Sequence, residues 1–113
     1  MLESIRSGVT QNSGMVKTSE ESQRHKEAIE KLASAYERSG FEVKADHIKR
    51  FEYPEKIKML RPDIVAEKDG KTIIVEVKTR SAVGTDRDKR QRRRLSEWAK
   101  KDGDRDFRRE VIS

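Results

Sequence analysis

Asp63, Glu76 and Lys78 carry the chemistry that this 113-residue sequence offers most directly. They lie within residues 61–80, RPDIVAEKDGKTIIVEVKTR, where two apolar runs flank Asp69-Gly70. Asp-Gly is a strong hairpin signal, because a type I′ turn needs positive φ at both central residues. A two-residue turn there sets Lys68 opposite Lys71. Counting outward, Ala66 faces Ile73, Val65 faces Ile74, Ile64 faces Val75 and Asp63 faces Glu76. Lys78 shares the face of Glu76, since strand side chains alternate. Facing like charges destabilise a hairpin, so these carboxylates need either water around them or a cation between them. Their neighbours argue against open water. Val65 and Ile74 share their face, and Ile64, Ala66, Ile73, Val75 and Val77 cover the other, as in central strands buried under helices. The trio therefore predicts a site for a hard divalent cation with oxygen ligands, Mg²⁺ or Mn²⁺, at the rim of a sheet. Such an ion polarises a phosphodiester and acidifies a bound water. Lys78 is then placed to orient or deprotonate that water, or to neutralise charge on the phosphorane. The competing reading is a pair of solvated strand-end acids beside a snorkelling lysine.

The charge balance suits a polyanionic partner. There are 27 Lys and Arg against 21 Asp and Glu, a net +6 with a pI near 9.7, an excess that favours nucleic acid. Six of the eight residues 87–94 are basic, opposed by Asp88. Arg80, Arg87, Arg90 and Arg94 are the expected phosphate contacts. The run points around more than half a helix, so its members cannot all touch one polyanion, and a solvated helix face is the alternative. The chain has no cysteine, which excludes disulfides, thiolate zinc sites and Cys nucleophiles. Its longest aliphatic run, Ile73-Ile74-Val75, is too short for a membrane span or signal-peptide core. A cytoplasmic protein without membrane contact is expected.

The elements that must position these residues follow from periodicity. The length fits one domain. Although 42% of residues are charged and 32% hydrophobic, the apolar residues cluster enough to build a core. Residues 1–17 show no period and read as a mobile tail, leaving 18–113 as the domain. Thr18 and Glu21 form a capping box that opens a helix. Ala28, Ile29, Leu32, Ala33 and Tyr36 make its buried stripe, and Gly40 stops it. Phe41, Val43, Ala45 and His47 alternate with polar residues as a half-buried strand. Residues 48–61, broken by Tyr53-Pro54, form a long loop with room for a helical turn; Phe51 and Tyr53 are expected to pack it down. After the hairpin, Thr85 or Asp86 caps a second helix. Gln91, Leu95, Trp98, Ala99 and Asp102 make its inner face, with Trp98 in the core, and Gly103 ends it. A last strand runs over 107–112. His25 reads as a partly buried helix residue, and His47 has no second histidine near it in sequence to suggest metal binding.

Pro62-Asp63, a gap of twelve residues and then Glu76-Val77-Lys78 resemble the signature of the PD-(D/E)xK nuclease superfamily. Gly40-Phe41, ending a helix before the hairpin, is similar to the small archaeal Holliday-junction resolvases within it. The resemblance spans residues 18–112. It implies a restriction-endonuclease-like αβββαβ core, an α/β fold with a mixed four-stranded sheet between two helices. By the same resemblance Asp63 and Glu76 are metal ligands, the Val77 carbonyl is a third, Lys78 is the catalytic lysine, and Gln91 lies near the substrate. The sequence departs from the resolvases at one point. They carry a further acid on the first helix, eleven residues before the glycine, and here that position is Ile29. Glu27 and Glu30 flank it but point off the apolar stripe. Glu21 and His25 lie on the stripe's extension and reach the sheet if the helix is one turn longer.

These readings converge on a Mg²⁺-dependent deoxyribonuclease, acting as a homodimer on branched or structured DNA. Asp63→Ala and Glu76→Ala are each expected to abolish cleavage and to raise stability in metal-free buffer. Two rivals stay open. One is a nuclease fold that holds DNA or RNA without cutting. The other is a domain whose basic helix docks on an acidic protein.

Overall fold

A computed structural model describes residues 19–112. The expected tail 1–17, the Thr18 cap and Ser113 lie outside the described residues. The order is α1 (Ser19–Arg38), β1 (Glu42–Ala45), β2 (Ile64–Lys68), β3 (Lys71–Thr79), a 3-10 turn (Arg80–Ala82), α2 (Asp86–Lys100) and β4 (Arg105–Ile112). The strands form one sheet, β1-β2-β3-β4. Its first two pairings are antiparallel and the last is parallel. Parallel neighbours need a crossover, and α2 supplies it. This is the αβββαβ order and mixed α/β sheet expected from the sequence.

The hairpin register is the one that the turn dictates. Asp69 and Gly70 have φ of 53° and 82°, and Lys68 pairs with Lys71, Ala66 with Ile73, Val65 with Ile74 and Ile64 with Val75. One sheet face carries Ala45, Ile64, Ala66, Ile73, Val75 and Val77 against Ile29 and Ala33 of α1. The opposite face buries Ile74 beneath the α2 layer of Leu95 and Ala99. Ile29, Ile64, Ile74 and Leu95 are fully buried, each stabilising the fold by about 1.5–3 kcal/mol. They hold β2 and β3 from both sides, so the acids at their rim stand on a rigid base.

Helix α1 stops for the predicted reason. Gly40 takes φ 93°, its N–H donates to the Glu37 carbonyl at 3.0 Å and the Phe41 N–H to that of Tyr36 at 3.1 Å. This is a Schellman closure, completed by the apolar contact such closures carry: the Tyr36 and Phe41 rings meet edge-on at 5.4 Å. At the other end the buried stripe continues past Ala28 by one turn to His25.

Several expectations need correction. Strand β1 ends at Ala45 rather than His47, because the Asp46 N–H turns to the Asp63 carbonyl at 2.8 Å and His47 leaves the extended region with φ 70°. Strand β4 begins at Arg105, before Phe107, since β3 pairs with it from Thr72 onward. Trp98 sits at the margin of the core, half-buried, with the Arg105 guanidinium 4.2 Å from its ring centre. Helix α2 ends at Lys100, with right-handed Lys101 as C-cap, so Gly103 is not its stop.

The long segment 46–63 holds no helix, but it has a hydrogen-bonded turn in which the Phe51 N–H donates to the Ile48 carbonyl at 3.1 Å. Its one bridged pair, Ile57 with Leu60, closes a two-residue turn at Lys58 and Met59, which take φ of 54° and 70°. Phe51 packs on the core, as expected of it, but Tyr53 is 69% exposed. No helix among the described residues is long and apolar enough to cross a membrane.

Candidate active site

A polar pocket of ≈ 410 Å³ opens where the C-terminal end of β3 meets the start of β2. Asp63, Glu76, Val77, Lys78 and Gln91 all line it. Folding thus brings together every residue the sequence placed in the catalytic cluster. Asp63 and Glu76 are each 8% exposed, a high cost for two carboxylates side by side.

The two acids divide that cost unequally. Burial pushes the Asp63 carboxyl up, but the neighbouring His25 side chain and the hydrogen bond from the Val77 N–H outweigh it and hold Asp63 below the usual range. The Val77 N–H donates to Asp63 Oδ2 at 2.8 Å. Glu76 lacks such donors. Burial first, and the Asp63 charge second, push it up to about 8. Burial and the neighbouring Asp63 charge thus favour the neutral form of Glu76, while Asp63 is favoured as the carboxylate.

Lys78 projects from the same strand, and its Nζ donates to Gln91 Oε1 at 3.0 Å. Helix α2 thereby holds the ammonium at the pocket, and the Gln91 amide NH₂ remains available to a ligand. A lysine that has lost part of its rotamer freedom in this way is positioned without cost at the moment of reaction.

His25, which the sequence placed on the stripe's extension but read first as a partly buried helix residue, lines the site. Its Nε2 lies 2.8 Å from the Val77 carbonyl, an oxygen that can only accept, so Nε2 carries the proton and donates. The same nitrogen is 3.7 Å from Asp63 Oδ2. The candidates for a helix acid are elsewhere. Glu21 accepts from Ser81 Oγ at 3.1 Å, and Glu27 and Glu30 are exposed. The signal was present in the sequence: His25 stands four residues before Ile29, in register with the buried stripe.

Asp88 and Arg109 were missed as a pair. Asp88, in the first turn of α2, is 3% exposed. Arg109 Nη2 donates to its Oδ1 at 2.7 Å and to its Oδ2 at 2.9 Å. The Asp88 carboxylate also accepts from the Gly84 N–H at 3.0 Å, while its own N–H donates to the cap residue Thr85 at 3.0 Å. Burial opposes the charge on Asp88, but the Gly84 N–H and Arg109 hold its carboxyl below the usual range. Arg109 pairs with Glu76 in the β3–β4 register, and its Nε is buried without a partner. The pair fastens the crossover helix to β4 beside the acids.

Of the four arginines expected to contact phosphate, Arg87 lines the pocket. Arg90 lines a shallower groove along the outer face of α2, with Lys89, Arg92 and Arg93. Arg80 and Arg94 are exposed. The basic surface therefore starts at the pocket and continues away from it.

Among the described residues no three of His, Cys, Asp and Glu converge into a metal-binding group. The oxygen donors present are the Asp63 and Glu76 carboxylates and the Val77 carbonyl, whose second lone pair is left by His25. That set suits Mg²⁺, which takes one or two carboxylates and keeps several waters. The upward push on the Glu76 carboxyl, part of it from the Asp63 charge, marks a local excess of negative charge that a divalent cation would offset.

The chain matches the family model described as REase_AHJR-like over residues 16–102. It belongs to that family, the restriction-endonuclease-like proteins resembling archaeal Holliday-junction resolvases, within the PD-(D/E)xK nuclease superfamily. No curated protein and no solved structure matches it significantly.

Proposed function

We propose that this chain is a metal-dependent endonuclease that hydrolyses phosphodiester bonds of branched or structured DNA, working in the cytoplasm as a homodimer. The observation that carries the reading is the adjacency of Asp63 and Glu76, both buried, at a polar pocket that Lys78 and Arg87 also line. Family membership supports nuclease activity; DNA as substrate, the metal and the branch preference are our inference.

Asp63, Glu76 and the Val77 carbonyl would hold Mg²⁺ or Mn²⁺, which when bound supplies Lewis-acid polarisation of the phosphate and an acidified water. Lys78, held by Gln91, orients the attacking water or neutralises charge on the phosphorane. The Gln91 amide positions water or a phosphate oxygen. Arg87 anchors the scissile strand, and Arg80, Arg90 and Arg94 hold flanking phosphates. An ordered core of this size offers little surface, and symmetrical cutting of two strands needs two active sites. Both points favour a dimer.

The reading is tested by incubating the protein with labelled four-way junction, flap, duplex and single-stranded DNA in Mg²⁺, Mn²⁺ or EDTA. Cutting that requires metal and favours the junction supports it. Cutting of continuous duplex alone would retain the nuclease and remove the branch preference. One observation favours the rival, a module that binds without cutting: His25 donates into the Val77 carbonyl, close to where resolvases carry an acid. Tight binding with no cleavage in either metal would establish that rival.

A further inference from the structure

We propose that the turn at residues 57–60 is a nucleic-acid-reading finger whose apex, Met59, inserts at an interruption in a base stack. The inference rests on the nuclease reading above and adds the feature of the substrate that this chain recognises.

Met59 is 83% exposed, the most exposed of the large hydrophobic residues described. A lone exposed apolar side chain needs no explanation, but this one stands on an unusually firm support. The Ile57 N–H donates to the Leu60 carbonyl at 2.6 Å and the Leu60 N–H returns to Ile57 at 2.9 Å. Lys58 and Met59 both take left-handed φ, which side chains other than glycine adopt at a cost. Below the turn, Pro54 and Pro62 are fully buried, and Arg61 Nη1 donates across the base to the Pro54 carbonyl at 3.0 Å. The segment is a stiff projection that ends in methionine.

Its surroundings select the partner. Lys56, Lys58 and Arg61 are exposed around the tip, with exposed Glu55 beside Lys56, giving an apolar apex with a collar of net positive charge. Met59, Leu60 and Arg61 line the same pocket as Asp63, Glu76 and Lys78, and Arg87 of α2 lines it too. A polyanion lying over the acids would thus meet the finger as well as the basic helix. Apolar side chains that enter nucleic acid do so by unstacking a base step, and a step already interrupted is the least costly to enter. An acidic protein surface would account for the lysines and arginine but would give Met59 nothing to enter.

The test is binding of the full chain in EDTA, so that it does not depend on metal or cleavage. The probes are a continuous duplex and the same duplex with a nick flanked by 2-aminopurine. Wild type should bind the nicked duplex about tenfold more tightly and raise the 2-aminopurine fluorescence as the base unstacks. Met59→Ala should lose both the preference for the nicked duplex and the fluorescence rise; Met59→Leu should keep both. An alanine variant that retains the preference and the fluorescence rise, or a wild type that shows neither, overturns the proposal. The two readings fail separately. A chain that cuts DNA but is indifferent to Met59→Ala loses the finger, whereas Met59-dependent unstacking without cleavage in any metal loses the nuclease.

Discussion

His25 Nε2 stands 2.8 Å from the Val77 carbonyl and 3.7 Å from Asp63 Oδ2. One imidazole N–H therefore joins α1 to the strand that carries Glu76 and Lys78, and lies against the acid that stays ionised. Burial of the ring at 8% exposure means that its loss leaves the carbonyl without a partner. His25→Ala should destabilise the chain by about 1–3 kcal/mol, read from urea unfolding. His25→Gln, which can still donate, should recover part of that loss. An alanine variant as stable as wild type would show that the contact is incidental.

Glu76 and Asp63 should respond oppositely to removal. The Glu76 carboxyl rises from 4.5 to about 8 on folding. Between those values the native state holds a proton that the unfolded state has released, so stability in metal-free buffer falls as pH rises across that window. Glu76→Gln should remove that slope and be more stable than wild type at pH 8, an outcome that thermal melts across pH would show. Asp63→Ala should not stabilise, contrary to the expectation drawn from charge pairing alone. It leaves the buried Val77 N–H without its acceptor and deprives His25 of its neighbouring charge.

In the Asp88–Arg109 pair the carboxylate is buried and the guanidinium largely so. Arg109→Met leaves the Asp88 carboxylate buried beside Gly84, a change that costs about 3–5 kcal/mol when a buried pair is broken. Asp88→Asn combined with Arg109→Met should recover part of that cost, since the uncompensated charge is gone. Denaturant midpoints for the two single variants and the double variant decide it; strict additivity would deny the coupling.

Arg90 and Arg94 are exposed on α2, so their loss should weaken DNA binding without unfolding the helix. Each phosphate contact contributes about 0.9 to the slope of log K against log salt on duplex DNA. Arg90→Ala with Arg94→Ala should lower that slope by about 2. An unchanged slope would move the DNA path off this face.

How much of this was legible in the sequence depended on the range of the interaction. The hairpin was legible to the residue, because Asp69-Gly70 fixes a two-residue turn and the register follows mechanically. The α2 cap, open between Thr85 and Asp86 and found at Thr85, and the Gly40 stop were legible for the same local reason. His25 was half-visible: its spacing from Ile29 was right, but whether the buried stripe continued that far depended on contacts with β3. Asp88 looked like a lone acid in a basic run, since its partner Arg109 lies on the far side of a crossover and no periodicity links them. The Met59 turn carried no glycine or asparagine to announce positive φ. Its shape comes from the buried prolines and the strand ends that it must join.

The central claim is that Asp63 and Glu76 form the hydrolytic centre. Its most direct test is single-turnover cleavage of a labelled DNA junction by wild type and by Glu76→Ala, in Mg²⁺ and in EDTA. The account predicts cutting by wild type in Mg²⁺ and none in EDTA. The variant should not cut in either condition, yet should still bind the junction in EDTA. Cleavage by Glu76→Ala at the wild-type rate would contradict it.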